Sequence, residues 1–98
     1  MTFSELTQSE TPVLIDFYAD WCAPFRAMKP ILEEVKNRVG EGVSIYKIDV
    51  DKNPMIAQRY SVMSIPTIIL FKKGEPVWRK TGVASSHELQ QAINKFQN

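Results

Sequence analysis

An α/β domain, with a mixed sheet of about four strands and helices on both faces, is what this sequence predicts, and three observations predict it. Val13 to Tyr18 is apolar in both phases except for Asp16, as a strand in the middle of a sheet should be. It leads into a helical pattern from about Cys22 to Val39 and then into a second strand-like stretch, Val43 to Val50. That order is the strand–helix–strand unit of a parallel pair, with a right-handed crossover. Thr67 to Phe71 and Pro76 to Thr81 read as two further strands. The Gly-containing turn Lys72 to Glu75 joins them so tightly that they must run antiparallel.

The elements follow in order. Thr2 to Ser9 reads as a short, weak helix gripped only by Phe3 and Leu6. In the Cys22–Val39 helix, Met28, Ile31, Leu32, Val35 and Val39 recur at spacings of three and four, an apolar stripe that faces a sheet. Pro30 lies inside the pattern and is expected to kink it by clashing with the carbonyl of Arg26. Gly40 and Gly42 end it. Along Val43 to Val50, Val43, Ile45 and Lys47 alternate with Ser44, Tyr46 and Ile48, so both faces are expected to be partly buried. Asn53-Pro54 reads as a cap and first helical position for a short helix through about Tyr60. Ser61 to Ile65 is a loop that delivers the chain to Pro66. The last helix opens at the capping box Ser85-Ser86-His87-Glu88 and carries Leu89, Ala92, Ile93 and Phe96 on one face.

Ninety-eight residues make a single domain, residues 1–98, with one core. Twelve basic residues against eleven acidic give a net charge of +1, which draws the chain neither to nucleic acid nor to an anionic membrane. No apolar run approaches the ~20 residues of a membrane span, and no basic region followed by an apolar one opens the chain, so the expectation is a cytoplasmic protein. A lone cysteine cannot form an internal disulfide, which agrees with a reducing compartment. One Cys and one His cannot make a zinc site within one chain, and His87, in a helix cap, fits a structural or surface role; no metal or cofactor is expected.

The residues that point to chemistry lie between Val13 and Pro30. A lone cysteine is by default a small buried hydrophobe. Cys22, however, stands where a strand hands over to a helix, between Trp21 and Pro24. The first N–H groups of a helix have no internal partner and favour thiolate over thiol, so Cys22 should titrate below an ordinary cysteine and be partly exposed. Pro24 suits the first helical turn, where its missing N–H costs nothing. Asp16 is an acid between apolar neighbours in both phases; burial with few partners should raise its pKa.

The order Asp16, Phe17, Ala19, Trp21, Cys22, Pro24, Arg26, Pro30, continued by Asp49-x-Asp51-x-Asn53-Pro54, Ser64-Ile65-Pro66-Thr67, Phe71-Lys72-Lys73-Gly74 and Gly82, resembles the thioredoxin family over nearly the whole chain. The resemblance implies a thioredoxin-like topology whose first strand has no counterpart here, leaving Val43 to Val50 as an exposed edge open to strand pairing in an otherwise monomeric protein. Thioredoxins are themselves a standard illustration of a lowered cysteine pKa, so the expectation for Cys22 is one of direction only. It implies further that Ile65–Pro66 is cis and packs beside Cys22, that Trp21, Ala23, Pro24, Ile65, Pro66 and Val83 rim an apolar groove for an extended substrate, and that Asp16 exchanges a proton during resolution with Lys47 close to it.

One departure outweighs the matches. The family motif W-C-G-P-C here reads Trp21-Cys22-Ala23-Pro24-Phe25, so the resolving cysteine is Phe25. Cys22 can attack a disulfide; nothing in the chain can attack the resulting mixed disulfide, and release needs an external thiol or a partner protein. A phenyl ring in place of a thiol in the first helical turn invites overpacking of about 1–3 kcal/mol unless its neighbours have adjusted. Three readings stand. The first is a thiol–disulfide oxidoreductase limited to single-thiol chemistry, acting on disulfide-containing proteins. The second is a peptide-binding or assembly module that keeps the groove without turnover. The third is an ordinary thioredoxin with an altered active site, by nature or by design.

Overall fold

The computed structural model describes residues 2–21 and 24–97, with residues 24 and 25 described in their helical backbone alone. Among the described residues nine elements follow one another: α1 (Phe3–Thr7), β1 (Val13–Tyr18), α2 (Pro24–Val39), a single 3₁₀ turn (Gly40–Gly42), β2 (Ser44–Asp49), α3 (Pro54–Arg59), β3 (Thr67–Lys72), β4 (Glu75–Thr81) and α4 (Ser86–Phe96). Among the described residues they make one mixed four-stranded sheet in the order β2-β1-β3-β4. β1 runs parallel to β2 and antiparallel to β3, and β3 antiparallel to β4. The predicted α/β class and the four-stranded mixed sheet therefore hold.

Strand alternation divides the core. Leu14, Ile68 and Leu70 point to the face covered by Met28, Leu32 and Val35 of α2 and by Leu89 and Ile93 of α4. Val13, Ile15, Phe17, Ile69 and Phe71 point to the opposite face, where Phe3 and Leu6 of α1 and Ile56 and Tyr60 at α3 pack on them. Phe3 and Tyr60 both meet Phe71 edge-on, at centroid distances of 5.5 and 5.1 Å. That is how a five-residue helix with two apolar residues stays in place: it wedges an aromatic ring into a cluster, within the distance range where aromatic pairs are favourable.

Several boundaries and devices differ from expectation. α1 is shorter than Thr2 to Ser9: a reciprocal capping box between Thr2 and Glu5 fixes its start, and it ends at Thr7 with Gln8 as its C-cap. β2 loses Val43 and Val50 at its ends, although Val43 stays buried and the Val50 N–H donates to the Tyr18 carbonyl at 2.9 Å. Tyr46 and Lys47, on opposite faces of β2, are both exposed while Ile45 and Ile48 are half-buried, so burial on both faces is shallower than the alternation implies. α2 contains Pro30 within one helix, inside the predicted span. α3 ends one residue before Tyr60, and Asn53 does not cap it through its side chain. Its amide instead donates to the Asp49 carbonyl at 3.0 Å, while the Asp49 carboxylate accepts from the N–H groups of Asp51 and Lys52 at 2.8 and 3.3 Å. An aspartate four residues upstream thus shapes the turn that was assigned to Asn53. α4 opens as expected, with Ser85 and Glu88 satisfying each other's backbone N–H.

The β3–β4 hairpin turns on Lys73 and Gly74, at φ +54° and +83°, the left-handed pair that matches strand twist. Pro76 sits opposite Phe71 at a register shift on the outer strand β4, where its missing N–H is tolerated. Ser61 is the other non-glycine residue in the left-handed region, at φ +54°. Its side chain is exposed, so nothing in its packing requires a Cβ. Ser61→Gly is expected to stabilise the fold by about 1 kcal/mol, measured by chemical denaturation, because glycine adopts that φ without steric cost.

β2 forms one edge of the sheet. Alternate amides along Ser44–Asp49 should therefore exchange with solvent far faster than those of β1, whose two neighbours are both strands. Uniform protection along β2 in a demonstrated monomer would contradict an open edge.

Candidate active site

The register of the sheet brings the loops that carry Trp21, Ile65, Pro66 and Val83 to one end. Thr67, the first residue of β3, lies opposite Phe17 near the end of β1 and opposite Thr81 at the end of β4. The loop before β3, the loop after β1 and the loop after β4 therefore meet there. α2 begins in the same region, since its first residue is only six positions beyond the end of β1. Cys22 and Ala23, the predicted nucleophile and its neighbour, lie outside the described residues, as do the side chains of Pro24 and Phe25 and any contact between the Phe25 ring and Asp16.

Trp21 is 72% exposed, a costly placement for an indole unless something holds it. Its Nε1–H donates to Asp51 Oδ2 at 2.8 Å, which ties the loop after β1 to the loop after β2. The Ile65–Pro66 peptide bond is cis. Pro66 is buried and its carbonyl accepts from the Gly82 N–H at 2.8 Å, while Ile65 is half-buried. Gly82 has φ +96°, a value that side chains rarely adopt, so this contact needs glycine. It places Val83, 44% exposed, next to the Pro66 loop. Thr67 anchors the loop from beneath, its hydroxyl donating to the Ser64 carbonyl at 2.5 Å. Arg79 reaches across from β4 to donate to the carbonyls of Tyr60 and Ser61.

Asp16 lies under this surface. It is fully buried and, among the described residues, neither carboxylate oxygen has a hydrogen-bond partner. It shares the face of Leu14, beneath α2, with Ile68 on one side in register and Lys47 on the other. Burial pushes its pKa up to about 6, and the charge of Lys47 offsets part of that rise. An acid with that pKa can hold or give up a proton near neutrality. Lys47 is exposed on β2 and acts on Asp16 by its charge. His87 is exposed in the first turn of α4, four residues beyond Val83. Among the described residues no three His, Cys, Asp or Glu side chains are placed to hold a metal ion, and no helix is long and apolar enough to cross a membrane.

Sequence reasoning assigned no role to three residues that shape this surface. Asp51 and Gly82 entered only as parts of motifs, yet they fix Trp21 and the Pro66 loop. Arg79 had no local signal at all, because its partners lie 18 and 19 residues away.

A four-stranded mixed sheet between helices, with the loop that carries Trp21 and the loop that carries the cis Pro66 at the same end, defines a small α/β domain. A family model described as Thioredoxin matches residues 2–95. A thioredoxin-like protein of Synechocystis is 46% identical, covering 93% of this chain and 87% of that protein. A thioredoxin of Listeria monocytogenes is 45% identical, covering 97% and 91%. Among solved structures, a mutant thioredoxin from Halobacterium salinarum superposes with a TM-score of 0.87 at 34% identity, over 97% of this chain and 82% of that one. The chain belongs to the thioredoxin family, a family of thiol–disulfide oxidoreductases that act on protein disulfides.

Proposed function

We propose that this chain exchanges thiols and disulfides through Cys22 alone. The carrying observation is the sequence around α2: the chain's one cysteine stands two residues before the helix, between Trp21 and Pro24, and Phe25 occupies the place of the family's second cysteine. The Cys22 thiolate attacks one sulfur of a substrate disulfide, forming a mixed disulfide and expelling the other sulfur as a thiolate. An outside thiolate, from glutathione or a partner protein, then cleaves the mixed disulfide and supplies the electrons. Trp21, Ala23, Pro24, Ile65, Pro66 and Val83 receive the substrate chain; the exposure of Trp21 and Val83 supports this role. Asp16, its pKa raised by burial and that rise partly offset by the charge of Lys47, serves as a proton reservoir near neutrality. A reducing cytoplasm, where such outside thiols are abundant, is the setting this chemistry needs, and the protein works there as a monomer.

Reduction of a protein disulfide, followed with and without added glutathione, tests the proposal. Multiple turnovers are expected with glutathione, and at most one equivalent of substrate thiol per Cys22 without it. Binding of the substrate with no thiol released under either condition would favour a peptide-binding module instead.

A further inference from the structure

Two methionines stand out in water. Met63 is 92% exposed and Met55 81%, whereas Met28 is fully buried beneath α2. Met63 forms one wall of an open groove of about 490 Å³ whose other apolar walls are Val50, Pro54, Ala57 and Val62. The groove adjoins the candidate active site through the chain itself. Val50 directly precedes Asp51, which holds Trp21, and Met63 stands two residues before Ile65. Neither the folding core nor the exchange chemistry of Cys22 uses this thioether. Its unbranched, polarisable side chain suits apolar partners of varied shape.

We propose that Met63 is an oxidisable substrate contact. As a thioether it receives an apolar side chain of the disulfide-bearing polypeptide, where that polypeptide runs past Ile65 into the groove. As a sulfoxide it presents a polar oxygen there and weakens the contact. The modifying reagent is a hydroperoxide. The methionine sulfur attacks a peroxide oxygen, an S–O bond forms as the O–O bond breaks, and the departing oxygen takes the proton to leave as water or an alcohol. Methionine is oxidised by two electrons and the hydroperoxide is reduced by two. The effect on substrate choice rests on the reading of Cys22 as the reacting thiol; the order of oxidation does not.

The test protects Cys22 as a mixed disulfide with 2-mercaptoethanol, exposes the folded protein to dilute hydrogen peroxide, and then uncaps the thiol with dithiothreitol, which leaves methionine sulfoxide in place. Peptide mass mapping should find Met63 and Met55 oxidised at least about tenfold faster than Met28, since susceptibility follows exposure. Uncapped Cys22 is then offered two probes: a small aromatic disulfide reagent, and a disulfide-bonded peptide with leucine beside its cysteines. Oxidation should slow the peptide about fivefold, the scale of one or two methylene groups no longer buried, and leave the small reagent unaffected. Met63→Leu should abolish the peroxide effect on the peptide, and Met55→Leu should retain it. Equal oxidation of Met28 and Met63, equal slowing of both probes, or slowing that survives Met63→Leu would each overturn the proposal. If the small reagent fails to react at all, the thiol reading beneath it falls along with the substrate effect, and the mass map alone still decides whether Met63 is oxidised ahead of the buried Met28.

Discussion

Asp16→Asn is expected to raise the stability of the fold at pH 7 by about 2–3 kcal/mol, an increase of roughly 10 °C or more in Tm for a domain of this size. The carboxyl is fully buried and lacks a hydrogen-bond partner among the described residues, and its pKa is raised from 3.8 to about 6. A rise of roughly two pKa units corresponds to about 1.4 kcal/mol each. Desolvation is the larger cause, so the penalty falls on the charged form. Asparagine keeps the shape and cannot ionise, although its own amide still wants partners, which sets the lower end of the range.

The pH dependence distinguishes this account from a simple packing effect. The folded state holds the Asp16 proton to a higher pH than the unfolded chain does. Below the unfolded value of 3.8 the acid is protonated in both states and costs nothing. As pH climbs towards about 6 the unfolded chain gives up its proton first and gains stability relative to the fold, so native stability declines. Above that value the penalty is constant. Denaturant midpoints of the two proteins should therefore nearly coincide at pH 4, diverge between pH 4 and 6, and run parallel above pH 7. A difference independent of pH would mean that the substitution acts through packing. Lys47→Met should widen the gap, because the charge that partly offsets the rise would be gone.

Much of this was legible in the sequence for definite reasons. β1 was bounded correctly because its residues are apolar in both phases, a pattern that fits a strand with neighbours on both sides. The same pattern made Asp16 an anomaly, and the fold places it where an acid must shift. The capping box at Ser85 and the hairpin at Gly74 were readable because their chemistry spans four residues or fewer. Turn control by Asp49 was missed, because Asn53-Pro54 offered a stronger local signal at the helix start than a carboxylate four residues upstream. The bond from Trp21 to Asp51, 30 residues apart, depends on two loops meeting at one end of the sheet, which no window of sequence contains. The groove beside Met63 was equally hidden, since its walls come from three separate stretches, at Val50, at Pro54 to Gln58 and at Ser61 to Met63.

The largest effect is expected in the lifetime of the mixed disulfide. On the proposed single-thiol reading, attack by Cys22 draws on its sequence position two residues before α2, since the opening N–H groups of a helix have no partners within it and stabilise negative charge near them. In a dithiol member of the family the second sulfur would sit three residues along the same turn and cleave the bond as an internal nucleophile. Well-placed internal groups act at effective concentrations far above those of free solutes, so their loss slows a step by on the order of 10³-fold or more. Phe25 has no nucleophilic atom. Mixing the protein with a disulfide-bonded substrate under non-reducing conditions should accumulate a covalent complex that dithiothreitol releases, and Cys22→Ser should form none. Phe25→Cys should shorten the life of the complex by at least about 10³-fold, by the same effective-concentration argument, and restore turnover without glutathione. Non-reducing gel electrophoresis over time reads both outcomes. Persistence of the complex in Phe25→Cys would show that the turn cannot present a second sulfur to the bond; rapid release in the unaltered protein, with no thiol added, would show that single-thiol chemistry is the wrong description of Cys22.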